Sequence, residues 1–518
     1  MRCRLVAVLV ICAGGLAAAA DESNVRLKRD VTPARLSVAS GFSRTDATLL
    51  DAVKNRNRDM VRTLLKAPVD VNAPEVDGTT ALHWAVRGDD VETAQLLIGA
   101  GANASRANRY GITPLSLAAL NGNAAMMTLL IKAGADPAAS VSDGQTMLMI
   151  AARSGNPDAL RVLLAGQVDV NAHEHVLGET ALIWAAAENH PEAIALLAKN
   201  GADLNARSNR LRFPLDKFGD GKSARFTVLP RGGWTPLMYA ARQGAAGAAR
   251  TLAETGADLN LTDPDGTNAL TLAIINAHYD LAAMLVEKGA DPNVADASGM
   301  AALYAVVDMN TLDETPGRPA PKSVDAVSSV ELVTRLLAHG ANPNAQLTAP
   351  ILERVHNNGD AALGEGATPL MRAAKKGDIA LMRTLLDHGA DVNVTMRNGG
   401  TALMFVSGRG GLGRFGVYDL KRATDAEFLE GARLFLKHGA QINAVDAAGQ
   451  TALHSAAVQR ADDFIEFLAD NGARLDIKDK QGRLPLDLAL GSGGRGPQTV
   501  RESAAALLRR RMKPVTGE

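Results

Sequence analysis

Apolar residues recur along this chain at helical spacing, in short runs that return at a nearly fixed interval. A six-residue apolar signature begins at Thr80 and returns at Thr113 and Thr146, each time 33 residues further on. Equivalent signatures begin at Thr180, Thr235, Asn268, Ala301, Thr368, Thr401, Thr451 and Leu484, with a degenerate first copy at Ala47. The longer intervals are 34, 50, 55 and 67 residues, and all the others are 33. Such a period predicts regular stacking of one structural unit with a few insertions.

Each unit carries the signals for a turn, a helix, a second turn and a second helix. A Gly lies two residues before every signature after the first, as Gly366 does before Thr368, and Gly adopts the positive φ that a tight turn requires. The Thr suits a helix N-cap, and the Pro that follows it in three copies suits the first helical turn. A second helix through Leu385 ends at Gly389. None of these units buries enough apolar surface to fold alone, so neighbours must stack into one continuous core.

This pattern resembles the ankyrin repeat family, whose signature is a Thr-Pro-Leu-His-x-Ala run followed by Leu-Leu-x-x-Gly-Ala-Asp. The second motif stands here from Leu385 to Asp391. The resemblance implies an all-α solenoid, built of helix-turn-helix units with β-hairpin or turn fingers, of about twelve units including caps. The fourth signature residue is His only at His83 and His454, so the inter-repeat hydrogen bonds that the family's His makes are expected at few positions.

The repeat pattern also sets the expected domain organisation. The expected segments are a signal peptide at 1–20, a polar and flexible leader at 21–45, one solenoid at 46–512 that ends in a polar capping helix, and a tail at 513–518. Insertions are expected at about 207–231, 311–329, 346–366 and 408–425. The first of these insertions is rich in basic and aromatic residues. It predicts either an elongated hairpin finger or a loop whose phenylalanines fold back onto the repeats.

The first twenty residues indicate export to the periplasm or outside the cell. Arg2 and Arg4 precede an apolar run and a stretch of alanines, and the run is shorter than the ~20 residues of a membrane-spanning helix. Cys3 and Cys12, the two cysteines, lie in this segment, so the mature chain is expected to lack disulfides and thiol ligands. Its 53 basic and 56 acidic residues then give a net charge of −3. This balance indicates neither a nucleic acid partner nor a membrane surface.

Motifs that would indicate catalysis or a cofactor are incomplete. Gly408, Gly410 and Gly413 match a dinucleotide fingerprint by letters only, because they follow a helix rather than a strand. His173 and His175 could share one face of a finger, but two ligands are too few for a metal site. The sequence therefore predicts no catalytic residue, no metal and no cofactor. An enzyme whose site is assembled from the insertions stays as a less favoured alternative.

The predicted function is binding of a protein or extended peptide, including an acidic one. In the family that this chain resembles, the contacts lie beside the turn Gly and just after the paired alanines. By position, and with the first insertion added, the predicted partner-binding residues are Arg87, Arg109, Tyr110, Arg153, Phe213, Phe226, Arg231, Trp234, Arg242, Gln243, Lys375, Lys376 and Arg397.

Trp234 is expected to be exposed at its turn, whereas Trp84 and Trp184 are expected in the core. Two alternatives remain open at this point. The basic residues could be ordinary solvated helix ends, and the chain could be a secreted effector that acts on proteins of another cell. The oligomeric state and the identity of the partner are not predicted.

Overall fold

Twenty-four α-helices follow one another in twelve consecutive pairs along the part of the chain that the structure describes. The structure is a computed structural model, and it describes residues 48–210, 232–311, 323–351, 363–408, 423–460, 462–491 and 501–512. By its internal contacts the chain divides into two units, Met1–Thr48 and Leu49–Glu518. All of these helices belong to the second unit. The predicted all-α solenoid of about twelve units is confirmed.

Each pair consists of a first or inner helix and a second or outer helix. The pairs are α1 Leu49–Lys54 and α2 Arg58–Leu64; α3 Ala81–Arg87 and α4 Val91–Gly99; α5 Pro114–Leu120 and α6 Ala124–Lys132; α7 Met147–Ser154 and α8 Pro157–Leu164; α9 Ala181–Ala187 and α10 Pro191–Lys199; α11 Pro236–Gln243 and α12 Ala246–Thr255; α13 Ala269–Ile275 and α14 Tyr279–Glu287; α15 Ala302–Asn310 and α16 Ser329–Ala338; α17 Pro369–Lys376 and α18 Ile379–Asp387; α19 Ala402–Val406 and α20 Asp425–Lys437; α21 Ala452–Gln459 and α22 Asp462–Asp470; α23 Pro485–Ala489 and α24 Glu502–Met512.

Neighbouring pairs share one hydrophobic core that runs the length of the stack. Each inner helix packs against the next inner helix, and most outer helices likewise pack against the next outer helix. This packing continues from α9 to α11 and from α10 to α12, across the 55-residue interval. The core consists mainly of Leu, Ala, Met, Val and Ile side chains, and in the described residues its Phe side chains lie towards the C-terminal end, as at Phe435. The insertions are therefore accommodated without a break in the stack.

The signals at the start of each unit act as the sequence predicts. Thr113 Oγ1 accepts a hydrogen bond from the Ser116 N–H at 3.1 Å, with Pro114 in the first helical turn. Gly266 has φ +84°, and a Cβ added there would lie 3.0 Å from the Cα of Asp296 in the next unit. Gly is therefore required at this turn both by conformation and by the close approach of the next finger.

The fingers are turns rather than strands in the described residues. Their pairing is limited to isolated bridges, such as the one between Ser140 and Thr146. Successive fingers are joined by backbone hydrogen bonds instead. The Arg109 N–H donates to the Asp77 carbonyl at 2.9 Å, and the Lys480 N–H donates to the Ala448 carbonyl at 2.8 Å. This ladder links the turns of adjacent units at both ends of the stack.

A second ladder is made by asparagine side chains that follow the outer helices. Asn293 Nδ2 donates to the Gly340 carbonyl at 2.9 Å, and its Oδ1 accepts from the Asn342 N–H at 2.8 Å. Both partners belong to the next unit. The same pair of bonds is made by Asn72, Asn171, Asn344, Asn393 and Asn443. Each of these side chains satisfies a carbonyl at the end of the next outer helix.

The two signature histidines also join adjacent units. The Thr80 N–H lies 3.2 Å from His83 Nδ1, and His83 Nε2 lies 3.1 Å from the Ile112 carbonyl of the next unit. His454 makes the matching contacts to the Thr451 N–H and the Arg483 carbonyl. This arrangement needs a neutral imidazole, because Nδ1 accepts while the Nε2–H donates. Burial, opposed by the carbonyl contact, lowers the pKa of both histidines.

We therefore expect the protein to lose stability between about pH 7 and pH 5. A histidine with a lowered folded pKa stabilises the fold fully above its unfolded pKa, about 6.5, and this stability is lost as the pH falls towards the folded value. Circular dichroism melts at pH 7.5 and pH 5.0 would measure the effect.

The double variant His83→Gln/His454→Gln isolates these two groups. It should be less stable at pH 7.5, by about 1 kcal/mol for each lost hydrogen bond, but should lose less further stability on acidification. The variant His388→Gln, at an exposed helix end, is the matched control. Equal pH dependence of the double variant and the parent chain would contradict the assignment.

Candidate functional site

One surface of the solenoid lies between the turn fingers and the C-terminal ends of the inner helices, and we call it the groove. Its floor positions are the fifth residues of the signatures, namely Trp84, Leu117, Ile150, Trp184, Tyr239, Leu272, Ala305, Arg372, Phe405, Ser455 and Leu488. Its rim positions lie three residues later, as Arg87 does. Contacts join these parts into one surface, because Trp84 Nε1 donates to Glu75 of its finger at 2.9 Å and Arg87 lies over the Trp84 ring.

The floor is accessible in pairs two to six, from α3 to α11, and again at Ser455 and Leu488 in the last two pairs. Trp84, Leu117, Trp184 and Tyr239 are half-buried, and Ile150 between them is 8% exposed. The next four floor positions, Leu272, Ala305, Arg372 and Phe405, are at most 5% exposed. We call the accessible part, from Trp84 to Tyr239, the open groove.

A buried ion pair lies where the floor is covered. The side chains of Arg372, at a floor position, and Asp308, at a rim position, are each 5% exposed, with Arg372 Nε 2.9 Å from Asp308 Oδ1. Arg372 Nη2 also donates to the Thr311 carbonyl at 3.2 Å. Removing one partner of a buried ion pair of this kind strongly destabilises the fold. These charges therefore serve the packing of pairs eight and nine.

Arginines of the open groove stack on aromatic rings. The distances from guanidinium carbon to ring centroid are 5.3 Å for Arg87 on Trp84 and 5.6 Å for Arg153 on Trp184. Arg242 lies 5.2 Å from the centroid of the Trp234 ring. Each stack is worth about 0.5–1 kcal/mol at an exposed site. It holds the guanidinium in one place and leaves the N–H groups at its edge available.

The expected exposure of the three tryptophans is wrong in each case. Trp234 is 4% exposed, its Nε1 donates to Asp263 Oδ2 at 3.3 Å, and its ring packs edge-on against Tyr239 at 5.4 Å. Its ring therefore belongs to the core, although its residue lies at a turn. Trp84 and Trp184 are half-buried instead: they pack against the core on one side and are partly exposed at the groove.

Two carboxylates lie beneath this part of the groove. Burial raises the pKa of Glu179, against the opposing effect of the polar groups of Tyr239 and Trp184 nearby. Burial likewise raises the pKa of Asp263, although its Oδ1 accepts the N–H groups of Asp265 and Thr267 at 2.9 Å. Because Asp263 also accepts from Trp234 Nε1, it links the finger backbone to the aromatic floor.

The other predicted residues fall into three groups. Arg109 and Tyr110 lie at an open finger tip, with Tyr110 58% exposed and Arg109 5.4 Å from its ring centroid. Gln243 is exposed beside Arg242, so six predicted residues meet at the open groove. Lys375 and Lys376 are half-buried and Arg397 pairs with Glu365 at 2.6 Å, all in the other half of the stack. Phe213, Phe226 and Arg231 lie outside the described residues.

Several exposed apolar residues of the same surface were not predicted. Leu120, at the rim of pair three, is 53% exposed, and Val76 and Val176, at finger tips, are 94% and 57% exposed. A Leu at a rim position between two arginines, Arg87 and Arg153, is a signal that the sequence contains. Exposed apolar and aromatic residues next to arginines are common in recognition surfaces.

The two finger histidines have structural partners. His173 Nδ1 lies 2.8 Å from the Gly178 carbonyl, and the His175 ring packs so closely on Gly144 that an added Cβ would lie 2.6 Å from Nε2. The described residues hold no group of three or more His, Cys, Asp or Glu side chains arranged for a metal. Within the same residues, every helix is too short or too polar to cross a bilayer.

Comparisons with known proteins agree with this architecture. A family model described as ankyrin repeats (3 copies) matches residues 49–141, 138–208, 219–296, 324–411 and 420–509. The human cyclin-dependent kinase 4 inhibitor B is 36% identical over 146 residues, 27% of this chain and 91% of that protein. The rat protein of the same name is 36% identical over 135 residues, 26% of this chain and 90% of that protein. The crystal structure of the human ASB11 ankyrin repeat domain aligns with a TM-score of 0.38 and 24% identity, over 46% of this chain and 96% of that chain.

The reversed burial of the tryptophans gives a stability prediction. We expect Trp234→Ala to lower the free energy of unfolding by about 3–5 kcal/mol, as for other fully buried aromatic residues, and Trp84→Ala to lower it by less than half as much. Urea unfolding followed by circular dichroism would measure both. Equal losses, or a larger loss for Trp84→Ala, would show that Trp234 does not belong to the core.

Proposed function

The chain belongs to the ankyrin repeat family, and from this premise we propose that it is a non-catalytic scaffold that binds a protein or extended peptide in its open groove. The observation that carries the proposal is the accessible floor of pairs two to six, bordered by stacked arginines. A solenoid presents such a surface along its length, and extended partners use it.

The charges in the open groove favour an acidic partner. Arg87 and Arg242 have no carboxylate within 4 Å among the described residues, and Arg153 has only a long contact of 3.6 Å to Glu188. Of the acids on the nearest fingers, Glu75 is bonded to Trp84 and to Lys54. Cations that keep unused donors attract a carboxylate-bearing segment.

Non-catalytic binding is favoured by the relatives and by the groove itself. The human and rat relatives carry the name of a kinase inhibitor, and an inhibitor of this kind acts on another protein. In the groove the carboxyl groups with raised pKa values, Glu179 and Asp263, lie half-buried beside the aromatic floor, and Asp263 accepts a hydrogen bond from Trp234. A secreted effector would use the same surface on the proteins of another cell, and it differs from a periplasmic scaffold only in destination.

Export is part of the proposal and rests on Arg2, Arg4 and the apolar run that follows them. We expect expression of the full chain in a bacterial host to yield a protein that begins near Ala20 or Asp21. N-terminal sequencing of the periplasmic and culture fractions would show this. A chain that keeps Met1 and stays with the cytosolic fraction would contradict export and leave groove binding unaffected.

Selection from a random peptide display library tests groove binding directly. We expect peptides selected on the full chain to bind the triple variant Arg87→Ala/Tyr110→Ala/Arg153→Ala at least tenfold more weakly, because it removes three exposed groove contacts. The variant Arg250→Ala is the matched control, since Arg250 is an exposed arginine on the outer helix α12. Far-ultraviolet circular dichroism would check that both variants are folded. Selected peptides that bind the triple variant and the parent chain equally would place the site elsewhere.

A further inference from the structure

The rim of the open groove alternates between cationic and apolar residues from one pair to the next. Arg87, Arg153 and Arg242 occupy it in pairs two, four and six, and Leu120 and Ala187 occupy it in pairs three and five. The three arginines and Leu120 are exposed, and Ala187 is half-buried. Because the helices repeat at fixed positions, the cations are separated by two units of the stack in both cases.

The stacking of the inner helices sets the distance between the rim arginines. Packed helices lie about 8–10 Å apart, so arginines two inner helices apart are separated by roughly 16–20 Å. The inner helices α3 to α11 are packed in direct succession, and the packing of α9 on α11 keeps the spacing across the insertion that separates them. The insertion therefore leaves Arg242 in register with Arg87 and Arg153.

Each arginine is held for contact with a carboxylate. Arg87 lies over Trp84 of its own pair, Arg153 over Trp184 of the next pair, and Arg242 over the buried Trp234, which is itself bonded to Asp263. A guanidinium placed over a ring has less rotamer freedom to lose when it binds, and it presents donors in a fork that matches a carboxylate. Each contact is thus preorganised, and the pairs that carry the three arginines are two units apart.

We propose that the open groove selects an extended acidic segment whose carboxylates recur about every six residues; this inference rests on the proposed binding function. An extended strand rises about 3.3 Å per residue, so six residues span roughly 20 Å, and the left-handed polyproline helix at 3.1 Å per residue spans nearly the same. Side chains six positions apart share a face in both conformations, because six is a multiple of two and of three. Apolar side chains between the acids then meet Leu120 and Ala187.

Two thirteen-residue peptides of identical composition test the spacing. One carries Glu at positions 1, 7 and 13, the other carries three adjacent Glu residues, and both have neutral Ser, Thr and Val elsewhere and capped ends. We expect fluorescence anisotropy with the full chain to show at least tenfold tighter binding of the spaced peptide. Arg153→Gln should weaken the spaced peptide about tenfold, because it removes the central contact, and Arg250→Gln should leave it unchanged.

The outcomes separate this inference from the proposed function. Equal affinity of the two isomers, or equal losses in Arg153→Gln and Arg250→Gln, overturns the spacing rule. If library peptides are then found to need Arg87, Tyr110 and Arg153 but to carry no six-residue acidic spacing, groove binding stands and only the spacing rule is lost. If neither the isomers nor any selected peptide depends on these groove residues, both proposals are lost.

Discussion

The structure depends on one constraint: no helix pair can bury all its apolar surface or bond all its polar atoms without its neighbours. The two helices of a pair pack on each other, but the rest of their apolar surface is buried by neighbouring pairs, and polar atoms at their ends are bonded in part by the next pair. Asn293 shows this on a single side chain, since one amide bonds both the Gly340 carbonyl and the Asn342 N–H of the following unit. Each such bond contributes about 1 kcal/mol, which is small for one asparagine and larger when the pair of bonds is repeated by Asn72, Asn171, Asn293, Asn344, Asn393 and Asn443. Stability is therefore collective, and the surfaces not used in stacking are free for recognition.

The fold could be predicted because its signals are local and recur in register. A turn that needs positive φ selects Gly, as at Gly266, and a helix start selects Thr. These requirements do not depend on distant parts of the chain. The asparagine ladder was readable too, because Asn293, Asn344, Asn393 and Asn443 each follow a helix-ending Gly by four residues. The ladder was not predicted, because polar residues such as Asn are common in any loop.

The site could be predicted only in part, because burial within the groove depends on the path of the stack. Register placed Arg87, Arg153 and Arg242 at one edge, and all three are exposed there. Register could not show that the floor is covered from Leu272 to Phe405, because these positions have the same place in their signatures as the accessible ones. The burial of the tryptophans differs from the expected burial for the same reason. Trp184 belongs to an apolar signature yet faces the groove, and Trp234 belongs to a turn yet is covered on all sides.

The spacing of the groove arginines follows from the same constraint that stabilises the fold. Because pairs stack at a helix-packing distance, any property that alternates between pairs is displayed at a multiple of that distance. The number of residues between two pairs does not change this distance, since α9 packs on α11 although 55 residues separate their signatures. Insertions can thus vary the edges of the solenoid while the separation of Arg87, Arg153 and Arg242 is preserved. A partner that matches this separation is recognised by the periodicity of the stack itself, and a partner with the same charge in another spacing satisfies only one contact at a time.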